Sequence, residues 1–496
     1  MTTSSVARLV LHYVNASSVA PTAPYTNWSS AANTIQAAVD AAQAGAVVLV
    51  TNGLYATGER QDDSGLMTRV IVDKPITVLS VNGYKVTTIE GRWDTATNGP
   101  NAIRCVRLEN GAVLAGFTIQ NGATRSTGGS SWSTAGGGVF TSVYTNATVA
   151  NCLLTNNAAR SYGGGAYGVR LKNCLILGNY ANDGGSGVAC GELVNCTVAY
   201  NWVNSFVPGG LMRGGGVAGN VGYLGTAPCR IRNSIVWQNF RGYGEMDNYT
   251  TGTEFAFSAS VGPSDAAPPG IGNQLAERTF LDADFHISSA SIYHAAGSAL
   301  YASGEDMDGE PWANPPSMGA DEVIEANLTG PLTLTIDAWQ TNTIAEPIRH
   351  ELSFGAVVTG RVSRIDWNYG DGGIDPNRGY WGIHGWTNPG TYTVTATAYN
   401  QDNPDGVVAS VMVLVEPINP PVLQSSLLNA NGYNFSFMAQ PGMNYYVQYA
   451  TNLAAPISWQ PLQTIYYPPF GPSGLVSITD PAWTNNTARF YRVLAQ

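Results

Sequence analysis

Between positions 116 and 239 the chain repeats one short pattern of apolar and polar positions five times. Each copy encloses apolar or β-branched residues, at period 2 or in short runs, between polar or glycine ends. The copies are residues 116–122, 151–157, 173–179, 195–201 and 233–239. These short apolar stretches predict strands of a few residues, because a helix would need apolar positions at a period of 3.6.

The spacing of the copies predicts a solenoid. The second, third and fourth copies follow one another at 22 residues, and glycine runs at 136–138, 163–165, 184–185 and 214–216 keep step with them. If coils stack at the strand spacing of about 4.8 Å, equivalent residues form columns. The terminal Asn residues would then bond from coil to coil and tolerate left-handed corners. The second positions predict an inward column of small buried side chains: Cys152, Cys174, Cys196 and Ser234.

This pattern resembles the right-handed parallel β-helix of pectate-lyase-like proteins. Residues 34–50, followed by residues 52–55, are similar to the capping helix and first coil of that fold, and residues 76–91 to the next coils. A cap is expected because the end of a solenoid otherwise exposes apolar side chains and strand edges. Residues 297–322 resemble the closing motif of bacterial "choice-of-anchor" β-helix proteins. The acidic turn in that motif leaves a calcium site open, and no other cofactor is expected.

The C-terminal third predicts antiparallel strands. Residues 365–372, His384, Trp386 and residues 389–398 resemble the signature of a PKD-type immunoglobulin-like domain, with Tyr369 in place of the usual Phe. The stretch after the Pro-rich linker 417–421 is similar to C-terminal β-sandwich modules of secreted proteins from polysaccharide-degrading bacteria. We therefore expect an all-β protein, with a right-handed parallel β-helix at 1–325 and two small antiparallel β-sandwich domains at 326–416 and 417–496.

Composition narrows the function classes. Charged residues make up 11% of the chain, glycine is abundant at 57, and the net charge is −11. This balance is typical of β-rich extracellular proteins and argues against a general nucleic-acid or anionic-membrane binder, which would present a basic surface. No apolar run of membrane-spanning length occurs, so no membrane insertion is expected. The N-terminus carries no clear leader, and we expect a secreted or cell-surface protein whose leader is absent from this sequence.

Loop lengths predict a groove across the middle coils. The loops that follow the second Asn of each copy are short at 158–162 and 180–183 and long at 122–135, 202–213 and 240–257. Two low coils would therefore lie between higher walls. The catalytic candidates around this groove are Arg160, Tyr162, Lys172, Asp183 and Arg213. The substrate-binding candidates are Arg125, Trp132, Asn182, Trp202, Arg241, Tyr243 and Glu245.

These residue types suit an acidic polysaccharide, because arginines pair with carboxylates and aromatic faces stack on sugar rings. The β-helix resemblance implies a polysaccharide lyase or hydrolase. A lyase needs a base and a cation beside the uronate carboxylate. A hydrolase needs two carboxylates across the bond, for which Asp183 with Glu192, or Glu245 with Asp247, are the convenient pairs. No catalytic motif of a pectate lyase, polygalacturonase or pectin esterase matches, so no family catalytic residue is assigned.

Three functions remain open at this point. A secreted lyase on an acidic polysaccharide is favoured slightly. A non-catalytic adhesion or carbohydrate-binding protein follows, and then a self-assembling envelope or filament component whose oligomeric state the sequence does not determine. An enzyme should bring Arg, Tyr and Asp side chains together in an open cluster. A binding protein should scatter them or pair them with one another, as Arg160 and Asp183 would be if they were a simple surface ion pair.

Overall fold

A computed structural model gives the architecture of the chain. It describes residues 9–94, 97–109, 111–127, 131–141, 146–204, 214–219, 228–242, 244–250, 252–262, 266–276, 280–282, 284–345, 350–429, 431–468, 473–485 and 488–495. The chain forms two compact units. The first comprises Met1–Arg278 with Asp284–Ile324, and the second Thr279–Ala283 with Glu325–Gln496. The predicted domain boundaries at 325 and 416 stay predictions.

The first unit is a parallel β-helix built from four sheets. Sheet A contains Leu11–Val14, Val47–Val50, Thr77–Ser80, Val113–Ala115, Thr148–Ala150, Arg170–Lys172, Glu192–Val194, Cys229–Arg232 and Thr253–Ala256. Sheet B contains Gly53–Tyr55, Thr87–Glu90, Thr118–Gln120, Leu153–Thr155, Leu175–Leu177, Thr197–Ala199, Ile235–Trp237, Ala259–Ser260 and Gln274–Leu275. Sheet C contains Arg60–Gln61, Met67–Val72, Ile103–Leu108, Val139–Phe140, Ala166–Tyr167, Val188–Ala189 and Val217–Ala218. Sheet D contains Ala158–Ala159, Tyr180–Ala181, Trp202–Val203, Phe240–Arg241 and Glu245–Met246.

Each middle coil visits the sheets in the order A, B, D and C. Strands of successive coils pair in parallel at equivalent repeat positions, as when Leu153 pairs with Leu175 and Leu175 with Thr197. Antiparallel pairing closes sheet C at Arg60–Gln61 and sheet D at Glu245–Met246. The predicted all-β class, with a right-handed parallel β-helix, is therefore confirmed.

A short helix caps the N-terminal end of the coil stack. It spans Ile35–Ala41, and the Thr34 hydroxyl accepts a hydrogen bond from the Ala37 N–H, as an N-cap residue does. Ile35 and Val39 are buried against the first coils. The structure describes 3₁₀ turns at Trp28–Ser30, Ser131–Thr134, Glu325–Asn327 and Trp483–Asn485. Among the residues described, no helix has the length and apolar character needed to cross a bilayer.

The two Asn columns of the repeat have different structural roles. The first column sits at the corner between sheets A and B in the left-handed region, with φ between 46° and 51° at Asn151, Asn173, Asn195 and Asn233. Asn tolerates this backbone better than other residues with a Cβ. The second column is a buried ladder of side-chain amides, which we call the Asn ladder: Asn157, Asn179, Asn201, Asn239 and Asn248.

In the Asn ladder the Nδ2 of each of the first four residues donates to the Oδ1 of the next ladder residue, over 2.9 to 3.1 Å. The same Oδ1 also accepts the backbone N–H of the preceding ladder residue. These side chains thereby satisfy backbone and side-chain groups that water cannot reach.

The glycine runs let the chain pack closely behind the Asn ladder. A Cβ on Gly164 would overlap the carbonyl oxygen of Tyr180, and one on Gly165 would lie 3.1 Å from Cγ of Asn179. These glycines are therefore required by close approach.

The inward column predicted at the second repeat position is confirmed. Cys152, Cys174, Cys196 and Ser234 are fully buried, and all six cysteines of the chain are free thiols. Burial raises the pKa of Cys105 and of Cys229 to about 12, so these thiols stay protonated.

The second unit is made of β-sandwich sheets that are antiparallel apart from the parallel pairing of Asn342–Ile344 with Asn403–Glu416. A three-stranded sheet contains Thr333–Ala338, Leu352–Thr359 and Trp381–His384, and a five-stranded sheet contains Asn342–Ile344, Asn403–Glu416, Gly390–Asn400, Arg364–Asn368 and Ile374–Asp375. Phe354, Trp367 and Trp386 fill the core between them. Two more three-stranded sheets follow. One contains Gln424–Asn429, Gly432–Ala439 and Gly474–Asp480, and the other Gln460–Tyr466, Asn444–Ala450 and Phe490–Ala495.

Candidate functional site

Sheet D carries a column of aromatic side chains, one from each successive coil. Tyr180 pairs with Trp202, and Trp202 with Phe240, in the parallel register of the sheet. We call these three residues the aromatic column. Each follows a residue of the Asn ladder directly in sequence. Because the ladder fixes the backbone coil by coil, it also fixes the spacing of the rings.

The aromatic column lies on the outer surface of the solenoid. Trp202 is 37% exposed, whereas Ala181 and Val203, the next residues along the strands, are fully buried. The rings of Trp202 and Phe240 lie 5.8 Å apart with their planes tilted by 40°. Small residues continue the column in the other direction, since Ala158 pairs with Tyr180 and Ala123 bridges to Ala158. Both alanines are fully buried, and Tyr180 packs against them.

Polar side chains run along the outer surface beside the aromatic column. Arg160, Asn182 and Asn204 each lie two residues after the first residue of a sheet D strand and are partly exposed. The Arg160 N–H donates to the Thr124 hydroxyl over 2.9 Å, which ties this strand end to the preceding loop. The surface thus offers amide donors and acceptors next to aromatic faces.

Arg160 and Asp183 form an ion pair on this surface. Nη1 of Arg160 lies 3.3 Å from Oδ1 of Asp183, with 42% and 37% of the two side chains exposed. Partial burial raises the pKa of the Asp183 carboxyl, and the Arg160 guanidinium opposes that shift. Burial also raises the pKa of Tyr180, against a side-chain hydrogen bond from Asn204.

A second ion pair closes the far edge of sheet D. Arg241 Nε and Nη2 each lie 2.8 Å from Oε2 of Glu245, and the Glu245 side chain is 68% exposed. Met246 follows on the outer surface, and Asp247 Oδ2 accepts the Gly214 N–H over 3.1 Å. We call the outer surface formed by the aromatic column, Arg160, Asn182, Asp183, Asn204, Arg241 and Glu245 the sheet D surface.

Three residues predicted for the groove lie over sheet C. Tyr162 is buried against Phe140, Tyr167 and Ala189 of that sheet, so its hydroxyl does not stand in an open groove. Trp132 is 38% exposed, with its ring 6.4 Å from that of Phe140. Arg125 donates to the Gly65 carbonyl over 2.8 Å.

A buried charge pair underlies this region and was not predicted from the sequence. Arg104 is fully buried, donates to Asp62 Oδ2 over 2.6 Å and to the carbonyls of Trp132 and Ala135, and packs over the ring of Phe140. Burial lowers the pKa of Arg104 to about 10, against the attraction of Asp62. With its charge paired and water excluded, Arg104 anchors the loop at 131–136.

Lys172 lies away from these residues, on the outer surface of sheet A. Its Nζ donates to the carbonyl and the hydroxyl of Ser303, over 2.7 and 3.0 Å. Glu192, the partner considered for Asp183 in a hydrolase, is also on sheet A and pairs with Arg170 over 3.3 Å. Residues 160 and 172 are close in sequence, but the chain passes through sheet C between them. Arg213 and Tyr243 lie outside the described residues.

Side chains that could hold a cation occur in the closing segment. The ligand atoms of Asp306, Glu310 and Asp321 lie within 4.8 Å of one another, as do those of His286, Asp308 and Asp321. Asp306 accepts the N–H groups of Asp308, Glu310 and Glu322, while Asp308 bonds to His286 and Lys85. These bonds already organise the acidic turn, and a calcium site there stays a prediction.

Comparison with known proteins identifies one domain. Residues 340–412 match the PKD domain family, which confirms the PKD-like region. Among solved structures, the chain is similar to the pectate lyase Pel9A, with 14% identity over 63% of this chain and 96% of that one and a TM-score of 0.33. It is also similar to carbohydrate-binding modules of the beta-sandwich superfamily, with 9% identity over 33% of this chain and 95% of that one and a TM-score of 0.17. No curated protein matches the chain.

Proposed function

We propose that this protein binds a carbohydrate on the sheet D surface. The observation that carries the proposal is the aromatic column, which places Tyr180, Trp202 and Phe240 side by side on one sheet, with Trp202 exposed and the other two rings partly exposed. Exposed aromatic side chains beside a few polar groups are typical of ligand sites, and aromatic rings stack on the apolar faces of sugars.

The geometry favours an extended chain that runs along the solenoid axis, across the strands. Neighbouring coils rise by about 4.8 Å, so Tyr180 and Phe240 stand roughly 10 Å apart along the axis. Asn182 and Asn204 lie beside the rings, where their amides would bond to sugar hydroxyls. Because the Asn ladder holds the coils at fixed spacing, binding would order few additional groups.

A lyase or hydrolase is the second candidate. The Asp183 carboxyl favours it, since burial raises its pKa and it stands on the sheet D surface beside Arg160. Against it, Lys172 lies on sheet A and bonds to Ser303, and Tyr162 is buried, so neither joins Arg160 and Asp183. We therefore favour binding without cleavage.

The proposal is tested by affinity electrophoresis in gels that contain individual soluble polysaccharides. We expect Trp202→Ala to weaken binding by roughly tenfold, which corresponds to about 1.4 kcal/mol. Trp28→Ala is the matched control, because Trp28 is 44% exposed and lies near the N-terminal cap. Equal retardation of the wild type and Trp202→Ala on every polysaccharide would contradict the proposal.

Catalysis is tested separately by incubating the protein in solution with the same polysaccharides. Absorbance in the unsaturated-uronate band detects a lyase, and new reducing ends detect a hydrolase. Product formation that Asp183→Asn abolishes would favour the second candidate. Binding that depends on Trp202, with no product on any substrate, would favour the first.

A further inference from the structure

We infer that the sheet D surface selects an uncharged glycan and discriminates against polyanionic ones. This inference rests on the proposed function and specifies its ligand. It departs from the acidic polysaccharide expected from the sequence, because the arginines that suggested a polyanion lie beside carboxylates of this same surface.

Each of the two described arginines of the surface has its own acidic partner. Arg160 lies 3.3 Å from Asp183. Arg241 directs both Nε and Nη2 to one carboxylate oxygen of Glu245. A uronate or sulfate that approached either guanidinium would meet a carboxylate already beside it. Two negative groups would then compete for one positive group, and the displaced one would repel the ligand.

The charges in this area leave no positive excess. Arg160 and Arg241 carry two positive charges, and Asp183 and Glu245 carry two negative ones, so the charges of the described residues of the sheet D surface balance. The whole chain carries a net charge of −11. Charges are screened over about 8 Å at physiological salt, so the local balance decides close contacts and the net charge slows the approach of polyanions.

The other polar side chains of the sheet D surface can form hydrogen bonds with sugar hydroxyls. Asn182 and Asn204 are neutral amides, each with donors and an acceptor, and they directly follow the strands of Tyr180 and Trp202 in successive coils. The ion pairs add fixed donors and acceptors without net charge. A neutral glycan would use the rings through its C–H faces and the amides through its hydroxyls, and it would break no ion pair.

The experiment compares neutral and anionic polysaccharides on the full chain. Soluble glucan, mannan and xylan are set against polygalacturonate, alginate and chondroitin sulfate, each at low and at physiological salt. We expect at least one neutral glycan to retard the wild type, with little dependence on salt and with roughly tenfold weaker binding by Trp202→Ala. We expect no polyanion to bind more tightly than that glycan.

Asp183→Asn tests the charge argument directly. It removes the counter-charge of Arg160 while keeping the size of the side chain, so we expect a gain of polyanion binding that disappears as salt is raised. Glu192→Gln is the matched control, because it frees Arg170 of a similar pair on sheet A.

The outcomes separate this inference from the proposed function. Trp202-dependent binding that is tightest on a polyanion and weakens with salt would keep the proposed function and overturn the neutral ligand. If Asp183→Asn gained no more polyanion binding than Glu192→Gln, the charge argument would fail. If Trp202→Ala changed the binding of none of the polysaccharides, both the proposed function and this inference would be overturned.

Discussion

Replacing Asn179 by Ala should open the solenoid locally, because this side chain serves three coils. Its Oδ1 accepts the backbone N–H and the Nδ2 of Asn157, over 3.1 and 3.0 Å. Its Nδ2 donates to Oδ1 of Asn201 and to the carbonyls of Leu154 and Leu177, over 2.9 to 3.2 Å. The residue is fully buried, so water cannot replace these bonds.

The magnitude follows from the bonds lost. Two N–H groups and one oxygen make these contacts, and a typical internal hydrogen bond contributes about 1 kcal/mol net. Leaving the Asn157 N–H buried without an acceptor adds to the cost. We expect Asn179→Ala to lower the free energy of local opening by about 3–5 kcal/mol. Asn179→Asp should cost more, because a carboxylate has no N–H and would face Oδ1 of Asn201.

Hydrogen exchange resolved by mass spectrometry is the suitable assay, because each coil of a solenoid mainly contacts its neighbours and opening need not be global. Peptides spanning 151–201 should lose about two to four orders of magnitude of protection in Asn179→Ala. Asn248→Ala, at the end of the Asn ladder and with fewer contacts, should lose less. The partly exposed Asn182 is the control, and its Ala variant should change little. Similar protection in Asn179→Ala and Asn182→Ala would refute the reasoning.

Three further predictions concern packing and charge. Gly164→Ala should destabilise the β-helix by about 1–3 kcal/mol, because its Cβ would overlap the Tyr180 carbonyl, and a lower melting temperature would show this. Asp62→Asn should cost about 3–5 kcal/mol in urea unfolding, since it leaves the fully buried Arg104 charge uncompensated, and an unchanged midpoint would contradict it. Burial raises the pKa of Asp306 to about 6, above the usual 3.8, so its contribution to the free energy of unfolding should fall by about 2–3 kcal/mol between pH 4 and 6. A titration of stability in Asp306→Asn should be flatter over this range.

The fold class was predictable because repetition is visible in a sequence. Copies at a period of 22 residues imply stacked coils, and the Cys column followed from that register alone. The PKD-like region was predictable for a different reason, since its buried Trp367, Tyr369 and Trp386 belong to a recognisable local signature.

The sequence alone does not distinguish the structural roles of the two Asn columns. The sequence shows Asn at both ends of a copy and predicts both coil-to-coil bonding and left-handed corners. The structure assigns left-handed backbone to Asn173 and the continuous amide ladder to Asn179. Asn173 also donates to Asn151 over 3.1 Å, but its Nδ2 donates to the Glu305 carbonyl as well, and the described bonds of the first column do not continue from coil to coil.

The sequence also predicted only some of the residues of the candidate site. Arg160, Asn182, Asp183, Trp202, Arg241 and Glu245 lie on the sheet D surface, as expected of residues that follow the same repeat position. Tyr180 and Phe240 occupy the position of Trp202 in neighbouring copies, and comparing the residue after the second Asn would have found them. The prediction from loop length instead included residues that lie on other sheets, such as Tyr162 over sheet C.

The repeat register alone determines the coil, its inward column and the residues that stack along each sheet, since strand pairing places equivalent positions over one another. Tertiary structure decides which of these columns are exposed and how their charges pair. Lys172 is only twelve residues from Arg160, yet one passage of the chain through sheet C places it on sheet A, whereas Asp183 reaches Arg160 from the next coil. Contacts in a solenoid form across coils, so proximity along the chain does not predict which side chains share a surface.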